Sequence, residues 1–106
     1  MVRTPEQIWE PIAKLQLTGR DVTTGTGFGT NPGLRVSGKI FAMLVRDELV
    51  VKLPKDRVDD LVEAGVARPF DAGKGRPMKE WASVPANASR RWKGLVEEAR
   101  SFVAGR

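Results

Sequence analysis

Apolar residues recur along this chain with two different periods, and the changes of period divide it into elements. Near the N-terminus Ile8, Ile12 and Leu15 are spaced to share one helical face. Thr4-Pro5-Glu6-Gln7 supplies the start. Thr4 is the N-cap, Pro5 takes the first helical position where its missing N–H is not needed, and Gln7 closes a capping box. A helix is expected from Pro5 to Leu17, kinked or split into two pieces at Pro11, because an internal proline removes a backbone bond and crowds the preceding turn.

From Leu17 to Pro32 threonine, glycine and aspartate dominate, as in loops and glycine-rich sheet edges. Strand-like runs follow at Gly33–Val36, Lys39–Val45 and Leu49–Leu53, joined by Ser37-Gly38 and Arg46-Asp47-Glu48. Such short polar connections signal hairpins. In the middle run Ile40, Ala42 and Leu44 alternate with Phe41, Met43 and Val45, so both faces are apolar and the strand should be central. Leu49, Val51 and Leu53 should face inward and Lys52 outward.

A second helix is expected after Pro54, with Asp56 in its first turn, an apolar stripe of Val58, Leu61 and Val62, and Gly65 as a left-handed cap. Residues 67–70 and 78–84 read as a second hairpin, joined by the basic connection 71–77. Pro85-Ala86-Asn87 introduces a last helix carrying Trp92, Leu95, Val96, Ala99, Phe102 and Val103 on one face. The predicted order is α-β-β-β-α-β-β-α without a βαβ rhythm. That pattern calls for a two-layer α+β fold, an antiparallel sheet covered by helices. With 106 residues the chain suits a single domain spanning 1–106.

Composition narrows the chemistry. The sequence contains no His, Cys or Tyr, which removes the usual general base near neutral pH, the thiolate nucleophile and the preferred zinc and copper ligands. No catalytic residue, metal ligand or cofactor is assigned, and the chain is expected not to be an enzyme. No disulfide framework exists, no apolar run is long enough to span a bilayer, and Met1–Glu6 lacks the apolar segment of a secretory signal. Cytoplasmic residence and no membrane partner are therefore expected.

The formal charge of +5 is unevenly placed. Between residues 68 and 93 stand Arg68, Lys74, Arg76, Lys79, Arg90, Arg91 and Lys93 against Asp71 and Glu80, which carries the whole excess. With Trp81 as a stacking side chain, these seven could contact nucleic-acid phosphates if they shared one face. A solvated basic surface needs no such purpose. Arg90, Arg91 and Lys93 also sit at the start of the last helix, where cations oppose the macrodipole.

Two glycine-rich segments invite nucleotide readings and fail on context. Gly33 to Ile40 approaches the P-loop pattern, but Ile40 stands where a hydroxyl would hold magnesium, and a strand follows instead of a helix. The segment 25–33, with Gly25-Thr26-Gly27-Phe28-Gly29, opens no helix that could direct a dipole at a pyrophosphate. A small-ligand or enzymatic use of that segment requires a pocket with convergent polar groups.

Gly27-Phe28-Gly29, Gly33-Leu34, Gly38-Lys39 and Phe41-Ala42 together resemble the N-terminal domain of TfoX-type proteins. Leu49 to Pro54, Ala64-Gly65 before Pro69-Phe70, Pro77-Met78-Lys79-Glu80 and Val84-Pro85 extend the likeness over roughly Phe28 to Val103. The resemblance implies a two-layer α/β fold with no catalytic residues. For two-domain members it implies regulation of competence genes through the transcription machinery, and the likeness covers only the first of those domains. The function it suggests is a regulatory interaction domain working through a protein partner, with a homodimer as one form of that contact and direct nucleic-acid binding as the alternative.

Overall fold

A computed structural model of the chain describes residues 3–25, 32–70 and 78–105. Its first element, α1 (Pro5–Gln16), opens with both halves of the capping box: Gln7 N donates to Thr4 Oγ1 at 3.2 Å and Thr4 N to Gln7 Oε1 at 2.9 Å. Pro11 does not divide it; the helix runs on as one element of 12 residues. The buried stripe also differs from the expected one. Trp9, Ile12 and Gln16 are buried, whereas Leu15 is 48% exposed. The stripe is shifted by one position, from Ile8 to Trp9 and from Leu15 to Gln16, and the buried Gln16 amide accepts from Arg100 Nη1 at its Oε1, at 3.2 Å.

Six strands follow in one antiparallel sheet: β1 (Val22–Thr24), β2 (Gly33–Val36), β3 (Lys39–Val45), β4 (Glu48–Lys52), β5 (Arg68–Phe70) and β6 (Met78–Val84). They lie in the order β1-β2-β3-β4-β6-β5. The short edge strand β1 adds one element to the predicted order, within the segment read as loop or glycine-rich sheet edge. Helix α2 (Lys55–Glu63) separates β4 from β5, and a 3-10 helix (Ala86–Arg91) leads into α3 (Trp92–Ala104). The α+β class and the order of elements are those expected from the pattern.

Local sequence explains the ends of α2. Asp56 lies in its first turn, and Gly65, at φ +75°, closes it in a Schellman arrangement: Val66 N donates to Leu61 O at 3.0 Å and Gly65 N to Val62 O at 3.1 Å. The β2–β3 and β3–β4 turns each place two successive residues at positive φ: Ser37 (51°) with Gly38 (82°), and Arg46 (50°) with Asp47 (64°). This is the left-handed geometry of two-residue hairpins, which glycine and asparagine adopt most easily.

All three helices pack on one face of the sheet. Trp9 and Ile12 of α1, Val58 and Leu61 of α2, and Trp92, Leu95, Val96, Ala99 and Val103 of α3 join Leu34, Val36, Leu44, Leu49, Val51, Ala82 and Val84 in the main core. A bulge corrects the alternation expected for β3. Leu34 faces Ala42 but Arg35 faces Ile40, so Phe41 is the extra residue. Phe41, Ala42 and Leu44 consequently all enter the helix-covered core, while Ile40, Met43 and Val45 belong to the opposite face.

Candidate binding site

The face of the sheet away from the helices has an apolar cluster of its own. Met43, Val50, Phe70 and Trp81 are buried there, with Ile40 and Val45 packed against them, and the cluster contains no residue of a helix. Strand alternation sends Glu48 and Lys52 of β4, Ser83 of β6 and Arg35 of β2 to this same face. One cleft opens on this face, and another lies at its border with the helix layer, where Val103 of α3 joins the lining.

The first, of about 420 Å³, lies at the β3–β4 turn and is lined by Val45, Arg46, Glu48, Arg68, Phe70 and Ser83, among others. Its centre is the Glu48 carboxylate. Ser83 Oγ donates to Oε1 at 2.6 Å and Arg68 Nη2 to Oε2 at 2.5 Å. Partial burial pushes this carboxyl up, but the hydrogen bonds from Ser83 and Arg68 and the positive charges of Arg68 and Arg46 outweigh it and hold it below the usual carboxylate range. A carboxylate kept ionised, with both oxygens occupied, is poorly suited to act as a general acid, and its low basicity suits it little better to take the Ser83 proton.

The second cleft, of about 460 Å³, is lined by Arg35, Lys39, Ile40, Lys52, Trp81 and Val103. Lys52 Nζ stands 5.3 Å from the centroid of the Trp81 ring, within cation–π range, and 3.8 Å from Glu80 Oε1. Arg35 is held by backbone: its Nε donates to Gly25 O and its Nη1 to Gly38 O, both at 3.0 Å. The guanidinium thereby ties the β2–β3 turn to the end of β1 and is fixed in plane without its charge being cancelled. The cleft offers cations around an apolar floor, an arrangement that takes anionic groups attached to something apolar.

The residues singled out from sequence are distributed differently. Trp81 is only 9% exposed and forms part of the second cluster. Lys79 is exposed on the same strand. Arg68 is drawn to Glu48 at the other end of β6, where it faces Ser83 across the ladder. Arg90, Arg91 and Lys93 are exposed around the start of α3, whose Trp92 enters the helix-covered core. Lys74 and Arg76 lie outside the described residues, as does most of the glycine-rich segment 25–33. Thus Trp81 and the cations of the last helix stand on different layers. The cations that do converge near Trp81 are Arg35, Lys39 and Lys52, which sequence reasoning left as turn and surface charges. The pairing of β4 with β6 brings Lys52 directly opposite Trp81, and no local pattern announces that pairing.

Among the described residues no group of acidic side chains is arranged to hold a metal ion, and no helix is long and apolar enough to cross a membrane. No protein-family model matches the chain, and no curated protein matches it.

Proposed function

We propose that this chain is a non-enzymatic interaction domain of the TfoX N-terminal type, which works through a protein partner in the regulation of transcription. The observation that carries this reading is the cleft beside Trp81 at the border of the helix-free face, where the half-buried Ile40 is surrounded by Arg35, Lys39 and Lys52. Interfaces combine such an apolar centre with a polar rim, and aromatic and arginine side chains are their commonest anchors. The saturated Glu48 carboxylate supports a binding role over a catalytic one.

The test is capture of partners by the immobilised protein from a nuclease-treated native extract, followed by reconstitution with the purified partner in sedimentation velocity. A defined stoichiometric complex is expected. If a parallel capture from untreated extract recovers only nucleic acid, and nothing is retained after nuclease treatment, the reading fails.

The exposed trio Arg90, Arg91 and Lys93 favours a second reading, direct contact with nucleic-acid phosphates. It predicts binding of labelled duplex DNA that falls steeply between ~50 and ~200 mM salt and weakens when the three are changed to alanine.

A further inference from the structure

The cleft at Trp81 has an uneven charge balance. Arg35, Lys39 and Lys52 line it, and among the described residues the only carboxylate that forms an ion pair with any of them is Glu80, at 3.8 Å from Lys52. Arg35 is bonded to two carbonyl oxygens, which orient its charge without neutralising it.

Arg35, Ile40, Lys52 and Trp81 form a row across the strands, and Lys39 lines the cleft beside it at the start of β3. Arg35 of β2 lies directly opposite Ile40 of β3, and Lys52 of β4 directly opposite Trp81 of β6. With ~4.8 Å between neighbouring strands, the row from β2 to β6 spans roughly 14 Å, the length of about four residues of extended chain. Arg35 and Lys52 stand two strands apart, roughly 10 Å between backbones, and the Arg35 guanidinium is anchored to Gly25 O and Gly38 O at its own end of the row. Stacking of a nucleobase is disfavoured, because Lys52 lies over the Trp81 ring and the side chain is 9% exposed.

We propose that this row is a docking groove for a short acidic segment of a partner protein, about four residues in extended form, whose carboxylates meet Arg35 with Lys39 at one end and Lys52 at the other while one apolar side chain rests on the half-buried Ile40 between them. It rests on the interaction reading above and names the chemistry of that partner. Charge complementarity selects the occupant: the groove repels basic segments and gives purely apolar ones nothing to pair with its cations.

The probe is a fluorescein-labelled peptide with two acidic residues on each side of a central phenylalanine, compared with its lysine analogue and with a labelled single-stranded oligonucleotide of similar charge. Anisotropy at low salt and the indole N–H resonance of Trp81 are the readouts, on the wild-type chain and on the double variant Lys39→Glu, Lys52→Glu. The acidic peptide is expected to bind, to shift the Trp81 indole, and to lose about tenfold or more in affinity in the double variant, while the lysine analogue gains. Should the double variant fail to fold, Lys39→Ala, at an exposed position, is expected to weaken binding alone. The proposal is overturned if the peptide does not bind, if its shifts map away from the row, if charge reversal leaves its affinity unchanged, or if the oligonucleotide displaces it from the same resonances. A partner captured equally well by the charge-reversed protein would remove this groove and leave the interaction reading standing. Absence of any captured partner would remove the reading itself.

Discussion

Ser83 on β6 donates its hydroxyl to Glu48 on the neighbouring strand β4 at 2.6 Å, while Arg68 on β5 donates to the other oxygen of the same carboxylate. One side chain thus links three adjacent strands on the face that carries no helix. Hydrogen bonds to a charged acceptor are worth roughly 1.5–3 kcal/mol when partly shielded from water. Ser83→Ala should therefore lower stability by about 1–2 kcal/mol in urea denaturation at pH 7 and raise the Glu48 pKa in an NMR titration. An unchanged Glu48 titration would show that the serine does not hold this carboxylate.

The same carboxylate sets a pH dependence whose sign is determined. Its folded pKa lies below the ordinary value of 4.5, so the folded state binds this proton less readily than the unfolded one. The contribution is complete above the unfolded pKa, begins to decline as pH falls below about 5, and is lost as pH passes down through the depressed folded value. Glu48→Gln is expected to be less stable at pH 7 and to flatten the denaturation midpoint between about pH 5 and pH 3. A variant that follows the wild-type curve through that window would refute the assignment.

The β3–β4 turn places Arg46 and Asp47, both with side chains, at φ 50° and 64°. A left-handed backbone costs an ordinary L-residue about 1–2 kcal/mol, and aspartate somewhat less. Asp47→Gly should raise stability by roughly 0.5–1 kcal/mol, read as a higher melting temperature, since glycine relieves the strain at some cost in unfolded-state entropy. A lower melting temperature would mean that the Asp47 side chain supports the turn.

Phe41 is the inserted residue of the bulge in β3 and is fully buried beneath the helices, on the face opposite Met43. Phe41→Ala should cost about 3–5 kcal/mol. Met43→Leu, at a buried site in the other cluster, should cost under ~1.5 kcal/mol, because it preserves volume and apolarity. Equilibrium denaturation of the two variants separates the two faces; equal small losses would contradict the bulge.

An alanine at Gly19 would set its Cβ against the Arg100 guanidinium, closer than van der Waals contact allows. The obstructing atom is the end of a flexible side chain, so Arg100 can move, but in moving it leaves the buried Gln16 amide with one partner fewer. Gly19→Ala is expected to cost about 1 kcal/mol, and Arg100→Ala to remove most of that penalty in a double-mutant cycle. Additive losses would show that the two positions do not touch.

Much of this protein was legible in its sequence because the relevant forces are local. The capping box at Thr4 and Gln7, the Schellman cap at Gly65, the hairpin turns and the apolar stripe of α3 follow from hydrogen bonding and side-chain spacing within a few residues, and together they implied the α+β class and the order of elements. The tertiary structure alone decided which of two competing residues each surface buries. It buried Trp9 in the main core and left Leu15 exposed. It placed Phe41 in the main core, because a single inserted residue shifts the strand alternation. It also set Trp81 on a different layer from Arg90, Arg91 and Lys93 and brought Arg35, Lys39 and Lys52 to one cleft with it. Strand order does that work: β4 pairs with β6 across an intervening helix and strand, so residues about thirty positions apart become neighbours through long-range hydrogen bonds that no local period encodes.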